Sequence, residues 1–518
     1  MAYIVKQKIN NHIYLYEVES IWDKNKKQAR QKRKYLGPQK RIYKNFDVEL
    51  KKAIKNKPSN FICKSYGDVF LIYYLLKELG LYALLKKEFD HYKEIVALIA
   101  FMIAESSASY LFPYWHEEHY ITDIKKQNSQ TISEIYEYLG RNEKGRLNFL
   151  KNWGNFIQPK FGVYYDITSI SSYSTNIESV EWGYNRDKEQ LPQINIGIMN
   201  CRKTLLPISY NVHPGSIVDV STLKNAIKTF DLFQLKNLFF ILDRGFCSVS
   251  NILQMHKNKI SFIQPLSFSL KKTKDLVSKH KSDICTSKNA FSYKEEILYH
   301  ICDKIEFNKI KFNAHIFYNE KVAVDYKHYL YKAIIEIEQN IKKIKPFKNN
   351  KEAEKYIDNN IIGKHKKYFK VKNRSIIKNL EEIENAIFRA GTIVMICYGK
   401  RIDKIKILDF YRNRDSVEKE INSLKNHIDT KRIRAHNQDT ANGRLFVKFI
   451  ALIIISKIIN VIKKDKKLKK YSTNEIMSEL KKLKMNSFDE NHKFLTEFTK
   501  KQKLIFKSFK IDVEKIGP

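Results

Sequence analysis

The chain has 518 residues, with 95 Lys and Arg against 56 Asp and Glu, a formal net charge of +39. Hydrophobic residues make up 43% and aromatics 13%, enough apolar material for a large core, which excludes wholesale disorder. So positive a field raises polyanion affinity and serves no neutral-metabolite enzyme, so nucleic acid leads as the partner, ahead of an anionic membrane surface.

Six cysteines (Cys63, Cys201, Cys247, Cys285, Cys302, Cys397) stand far apart with no CxxC pair. A zinc finger is not expected, and this usage fits a reducing cytoplasm. The start, MAYIVKQKINNHIYLY, lacks the continuous apolar run of a signal peptide. The most apolar run, 449–455, is bounded by Lys448 and Lys457. It is too short to span a bilayer and reads as a buried helix. A cytoplasmic protein with no membrane partner is expected.

In chain order, residues to about 38 alternate and then run basic (24–37), which fits a β-hairpin with a basic tip or a solvated charged loop. Helical spacing governs 67–153, either an all-α DNA-binding module or a helical cap on the next domain. From Phe161 the period changes to two. Strands are expected over 161–170, 194–200 and 205–212, a helix over 220–230, an apolar strand over 238–242, a helix over 248–256 and a strand over 260–265. Residues 267–390 break that rhythm. They mix β-like runs (291–302, 311–318) with Lys-rich helical runs (326–344, 375–388) and read as an insertion. A strand over 392–397 and a helix over 404–428 resume the core. A buried helix over 446–462 and a basic helical tail complete the chain.

Acids on core elements of so basic a chain invite explanation. Asp166 lies inside the first core strand, and Asp243 ends the apolar strand, followed by Arg244 and Gly245. Glu418 lies on the late helix. Strand ends are where open α/β sheets build their sites. Three convergent carboxylates can hold two Mg²⁺ ions about 4 Å apart, the arrangement of phosphodiester chemistry. Taken singly, a strand-end Asp also serves as a turn or cap residue, and a helical Glu as a solvent-facing one. The β-β-β-α-β-α-β order with a later helical Glu is what joins the three.

Tyr411, Arg414, Glu418 and Lys425 fall at offsets 0, 3, 7 and 14, which share one narrow helical face at about 100° per residue. Cations beside a metal-binding Glu would grip phosphates on either side of the reacting one. A surface helix laced with ion pairs would show the same charges. Arg434, just after this helix, extends the same track. Arg244 can contact DNA or pair with a neighbouring acid. His213 reads as a turn residue. No P-loop, GxSxG or Cys–His motif is present, so neither a nucleotide cofactor nor acyl chemistry is expected.

The spacing Tyr411-x2-Arg414-x3-Glu418-x6-Lys425 resembles, without a gap, the Y-R-E-K signature of a large group of bacterial insertion-sequence DDE transposases. The segments 166–170 (DITSI) and 242–248 (LDRGFCS) resemble that group's first and second Asp motifs, and 213–219 (HPGSIVD) the turn between them. The resemblance covers most of the chain, most strongly beyond about residue 155.

It implies an α/β fold: a ribonuclease-H-like core, a mixed sheet flanked by helices, interrupted by an α+β insertion. The expected division is an N-terminal hairpin and helical DNA-binding region (1–155), the first part of the catalytic core (156–266), the insertion (267–390), the second part with the Glu helix (391–463) and a basic helical C-terminal region (464–518). The spacings are 243 − 166 = 77 and 418 − 243 = 175, the second long enough to hold the insertion.

For function, the resemblance implies a catalytic triad of Asp166, Asp243 and Glu418. These would bind two Mg²⁺ ions, with Mn²⁺ as a substitute, and Tyr411, Arg414, Lys425, Arg434 and Arg244 would contact DNA. The activity implied is hydrolysis at insertion-sequence ends and strand transfer into target DNA. The expected partners are double-stranded DNA (terminal inverted repeats and target) and a second copy of the chain, on the nucleoid when DNA-bound. In related transposases a Trp in or near the insertion can stack on a flipped base, whereas the tryptophans here are Trp22, Trp115, Trp153 and Trp182, all outside 267–390. The rival readings are a decayed or repurposed, non-catalytic sequence-specific DNA-binding protein and a nuclease without strand transfer.

Overall fold

The computed structural model describes residues 2–9, 12–23, 28–38, 61–105, 107–157, 162–185, 189–217, 221–223, 225, 227, 239–344, 346–414, 432–487 and 492–517. Two compact units emerge. One comprises Met1–Lys64, Lys484–Glu497 and Glu514–Pro518; the other comprises Ser65–Leu483 and Phe498–Val513.

The first unit opens with strands β1 (Ala2–Ile9), β2 (His12–Asp23) and β3 (Gln28–Pro38), an antiparallel sheet in that order. The basic run is therefore a third strand as far as it is described, not a hairpin tip. Its alternation was hidden because Gln28 to Leu36 are all exposed, on both sides of the strand, and Lys and Arg are what an exposed edge strand uses against edge-to-edge pairing. A short strand, β4 (Ile62–Ser65), leads into the second unit.

In that unit six helices come first: α1 (Gly67–Glu78), α2 (Leu81–Glu88), α3 (Tyr92–Ala104), α4 (Phe112–Glu118), α5 (Ser129–Arg141) and α6 (Glu143–Ile157). Strands β5 (Val163–Ser171), β6 (Gln193–Cys201), β7 (Pro207–Pro214) and β8 (Phe239–Ile241) come next, then α7 (Val249–Lys257), β9 (Ser261–Pro265) and α8 (Lys271–Lys279). The helix expected over 220–230 lies mostly outside the described residues.

The segment read as an insertion carries β10 (Ala290–Tyr293), β11 (Glu296–Phe307), β12 (Ile310–Tyr318), α9 (Glu320–Lys342), α10 (Asn350–Asn360), β13 (Phe369–Lys372), β14 (Ser375–Lys378) and α11 (Leu380–Gly391). The expected helix 375–388 thus begins as a strand. Asn373 and Arg374 take positive φ, closing a tight hairpin between β13 and β14, and the helix starts only at Leu380. Then come β15 (Thr392–Tyr398), a helix α12 over 404–414, α13 (Gln438–Lys464) and α14 (Thr473–Lys481). The tail adds short strands β16 (Lys484–Ser487) and β17 (Lys493–Leu495) and a helix α15 (Lys500–Ser508), so it is not wholly helical.

Nine strands form one sheet in the order β10-β11-β12-β15-β9-β8-β5-β6-β7. Within it β5, β6 and β7 are an antiparallel meander, and β8 and β9 run parallel to β5 on its other side. That arrangement is the ribonuclease-H-like sheet, a mixed α/β core. Strands β10, β11 and β12 of the 267–390 segment extend this sheet through antiparallel pairing of β12 with β15, while β13 and β14 pair only with each other and α9, α10 and α11 enclose a smaller core of their own around Leu330, Ile334 and Ile383.

One face of the sheet buries Val163, Tyr165, Phe240, Leu242, Phe262 and Ile396 under α7 and α8, which contribute Ile252, Met255, Leu276 and Val277. On the other face Tyr210 of β7 packs on Phe449 of α13 at 4.9 Å between ring centroids. By length and composition α13 could cross a membrane, yet 78% of its most apolar window is buried within the protein. Its packing on α5 is backbone-close: a Cβ on Gly443 would overlap the Tyr136 carbonyl, and one on Gly140 the Asp439 carbonyl. Asn437 caps α13, its side chain accepting from Thr440 N at 2.7 Å.

Candidate active site

Strand β5 alternates. Val163, Tyr165 and Ile167 enter the buried core, so Asp166 points to the opposite face, where it is half-buried. Strand β8 lies parallel beside it, with Val163 opposite Phe240 and Tyr164 opposite Ile241. Continuing that register by two residues sets Asp166 and Asp243 at the same level, on the same face, on strands about 4.8 Å apart. By that register, two acids 77 residues apart in sequence fall at neighbouring positions of adjacent chain segments.

The end of β8 is fixed from three sides. Leu242 N donates to Ile263 O at 3.1 Å, continuing the pairing with β9. The fully buried Gln264 donates from Nε2 to the Asp243 carbonyl at 2.7 Å. The Asp243 side chain caps the 3-10 turn over Arg244–Phe246 by accepting from Arg244 N. Arg244 itself is exposed. Asp243 thus acts as a turn residue while its carboxylate stays partly exposed on the face that α12 covers.

Helix α12 lies on this same face. Phe410 packs edge-on against Phe239, centroids 6.1 Å apart, and the Arg202 guanidinium covers the Phe410 ring at 4.2 Å. One turn on, Arg414 reaches Asp243, Nη1 to Oδ1 3.3 Å, and its guanidinium stands 5.5 Å from the Tyr411 ring centroid. The helix is held to the sheet extension by Tyr293, whose hydroxyl donates to Asp409 at 2.7 Å, and by Arg412, 3.6 Å from Glu296. Burial pushes the Tyr164 phenol beside this helix up to about 12, with Arg202 opposing and Asp409 reinforcing.

The structure therefore brings together Asp166, Asp243, Tyr411 and Arg414, with Arg244 adjacent. Glu418, Lys425 and Lys431 lie outside the described residues. Arg434 is exposed elsewhere: its segment runs beside the end of β5, with Ile433 N donating to Ser171 O at 2.9 Å, five residues past Asp166. His213 is no turn residue but a buried member of β7, its Nε2 3.5 Å from the Tyr165 hydroxyl, and burial lowers its pKa. Gln264 and Asp409 were missed. An amide inside an apolar strand was a usable signal for the first; nothing in the sequence singled out the second.

Asp166 and Asp243 offer hard carboxylate oxygens at one level, a donor set that suits Mg²⁺ or Mn²⁺ rather than a thiophilic ion. Among the described residues no group of three His, Cys, Asp or Glu is assembled for a metal.

The family model described as a transposase DDE domain matches residues 162–454, or 454 − 162 + 1 = 293 of the 518 residues. The chain belongs to the DDE transposase family. The match begins one residue before β5 and runs into α13, so Asp166, Asp243 and α12 of the transposase all fall within it. A piggyBac transposase, solved as a synaptic complex with hairpin DNA, is similar over 75% of this chain and 70% of that chain, at 11% identity and a TM-score of 0.35. A search of curated proteins gives no match.

Proposed function

We propose that this transposase hydrolyses a phosphodiester at the end of an insertion sequence and transfers the freed 3′-OH into target DNA. The observation that carries the reading is the pair of carboxylates, Asp166 and Asp243, level on neighbouring parallel strands beneath a helix that begins the Y-R-E-K signature. Glu418, four residues beyond Arg414 in sequence, is the third acid.

Asp166, Asp243 and Glu418 would hold two divalent ions, Mg²⁺ or Mn²⁺. Bound there, the ions would supply Lewis-acid stabilisation of the attacking and leaving oxygens. In the first step water adds to phosphorus and the P–O3′ bond breaks, leaving a 3′-OH and a 5′-phosphate. In the second the 3′-OH attacks a target phosphodiester and releases a target 3′-OH. Each step exchanges one P–O bond for another, so no nucleotide cofactor is required. Arg414 and Tyr411 line the site, and Arg414 and Lys425 would pair with backbone phosphates. Arg244, exposed beside Asp243, and Arg434, past the end of β5, would extend the contact along the duplex. Two protomers on paired terminal repeats, acting at the bacterial nucleoid, complete the proposal. The net charge of +39 suits a duplex partner.

The test is nicking of labelled end DNA in Mg²⁺ by the full chain. Asp166→Ala abolishes it while DNA binding persists. An Asp166→Ala protein that still nicks removes the catalytic assignment.

A further inference from the structure

Helix α12 sets Arg414 and Tyr411 beside Asp243, and two separate parts of the sheet hold it. At the core Phe410 meets Phe239 of β8, and Arg414 meets Asp243, Nη1 to Oδ1 3.3 Å. The second grip comes from the hairpin of β10 and β11. It lies at the far edge of the sheet, with β10 five places along the strand order from β8.

The tip of that hairpin departs from the residues such turns prefer. Tyr293 pairs with Glu296, so Lys294 and Glu295 form a two-residue turn, and both take positive φ, 48° and 67°. Asn, Asp and Gly suit these positions, because other side chains crowd the backbone there. Among the described residues two other hairpins of this kind open with Asn, at Asn308–Lys309 and Asn373–Arg374. The tip at 294–295 opens with a lysine instead, and its ammonium stands 3.5 Å from Asp409 Oδ1 of α12. A disfavoured residue held at a tight turn points to a contact that the turn serves.

Further contacts join the tip to the helix. Buried Tyr293 donates its hydroxyl to the same Asp409 oxygen at 2.7 Å. Arg412 places its guanidinium 4.7 Å from the Tyr293 ring centroid and reaches Glu296, Nη2 to Oε2 3.6 Å. Glu296 is held in turn by Asn319, the cap of α9, whose Nδ2 donates to Oε2 at 3.3 Å. At the start of α12 Lys404 Nζ lies 4.6 Å from the Phe291 ring centroid. Asp409 and Arg414 are five residues apart on one helix, about 7.5 Å of rise. The hairpin tip and the contact at Asp243 are therefore joined by a rigid element. A misplacement of about 1 Å at a reacting centre can cost about a hundredfold in rate.

We propose that Tyr293 and Asp409 are a positioning pair: their hydrogen bond fixes α12 on the sheet and so sets how Arg414 and Tyr411 meet Asp243 and the DNA phosphate. The proposal rests on the cleavage reading above. It adds to that reading a part for the 267–390 segment in assembling the active site.

The experiment uses the full chain and labelled end DNA. It measures the nicking rate in Mg²⁺ at saturating DNA, the Kd for DNA in metal-free buffer, the urea midpoint, and amide hydrogen exchange over 404–414. Tyr293→Phe keeps the ring and loses only the donor. It nicks roughly tenfold more slowly and exchanges faster over 404–414, with DNA Kd and urea midpoint unchanged. Asp409→Ala behaves alike, and Tyr293→Phe/Asp409→Ala loses no more than the larger single loss, because the pair acts as one unit. Asp409→Asn keeps an acceptor oxygen and loses less than Asp409→Ala. A wild-type nicking rate in Tyr293→Phe overturns the proposal, as do losses that multiply in the double variant. A slower rate matched by weaker DNA binding would make Tyr293 a DNA contact, and one matched by a lower urea midpoint would make it a stability residue; either overturns the positioning role. If the wild-type chain does not nick at all, the cleavage reading fails, and exchange over 404–414 still decides whether the tip holds the helix.

Discussion

Arg414 Nη1 stands 3.3 Å from Asp243 Oδ1, the guanidinium 8% and the carboxylate 32% exposed. This contact joins the end of a core strand to a helix, described over 404–414, that lies far along the chain, beyond the 267–390 segment, and carries Tyr411 and Arg414. It fixes the position of α12 on the sheet by charge, where Phe410 against Phe239 fixes it by packing.

Arg414→Ala removes a buried cation from beside Asp243. Breaking a fully buried pair costs about 3–5 kcal/mol, but Asp243 is a third exposed, so a loss of about 1–2 kcal/mol is expected in urea unfolding. Arg414→Lys keeps the charge but lacks the planar fork and is expected to nick DNA at least tenfold more slowly at near-normal stability. Full nicking by Arg414→Ala would remove the residue from the site.

The carboxylate pair predicts a metal effect that does not depend on catalysis. A ligand that binds only the folded chain stabilises it, by about 1.4 kcal/mol at ten times its Kd. Mg²⁺ should raise the melting temperature of the wild-type chain and do so less for Asp166→Asn and Asp243→Asn. Equal shifts in all three would place the ion elsewhere.

Gly443→Ala would drive a methyl into the Tyr136 carbonyl across the α5–α13 contact. The obstacle is backbone, which cannot turn aside as a side chain can. Overpacking of this kind costs typically about 1–3 kcal/mol, read as a lower urea midpoint with an unchanged slope. A midpoint equal to wild type would show that the helices separate freely.

Acid should weaken the fold through histidines that burial keeps neutral. Burial, then the neighbouring His315 and Lys404, holds His300 at about 4, against an ordinary 6.5. Burial also lowers His315 and His213. Between these values the unfolded chain binds protons that the folded chain does not, so stability falls as pH drops from about 6.5 toward about 4. His300→Phe, placed against Phe291 and Phe317, should flatten that fall. An unchanged slope in the variant would exclude His300 as a source.

The sheet was legible because alternation survives wherever one face is buried, as at Tyr165 and Asp166. The site was legible as far as short-range spacing carries, which placed Tyr411 and Arg414 on one face. Three things were not. Strand β3 read as a basic hairpin tip or a charged loop, not as a strand in its own right, because its Arg and Lys residues meet water on both faces. Residues 375–378 looked helical because a four-residue strand leaves no room for a period to show. The approach of Arg414 to Asp243 and the fit of Gly443 against Tyr136 are set by packing between distant segments, which local pattern does not encode.

The most direct test of the central claim is cleavage and joining of labelled DNA from the flanks of this gene in Mg²⁺ or Mn²⁺, wild type beside Glu418→Gln. The account predicts metal-dependent nicking and a joined strand-transfer product from the wild type, and neither from Glu418→Gln at equal DNA binding. Nicking and joining by Glu418→Gln at the wild-type rate would contradict the triad. Tight binding by the wild type with no metal-dependent product, on ends shown to be the element's own, would contradict the transposase activity itself.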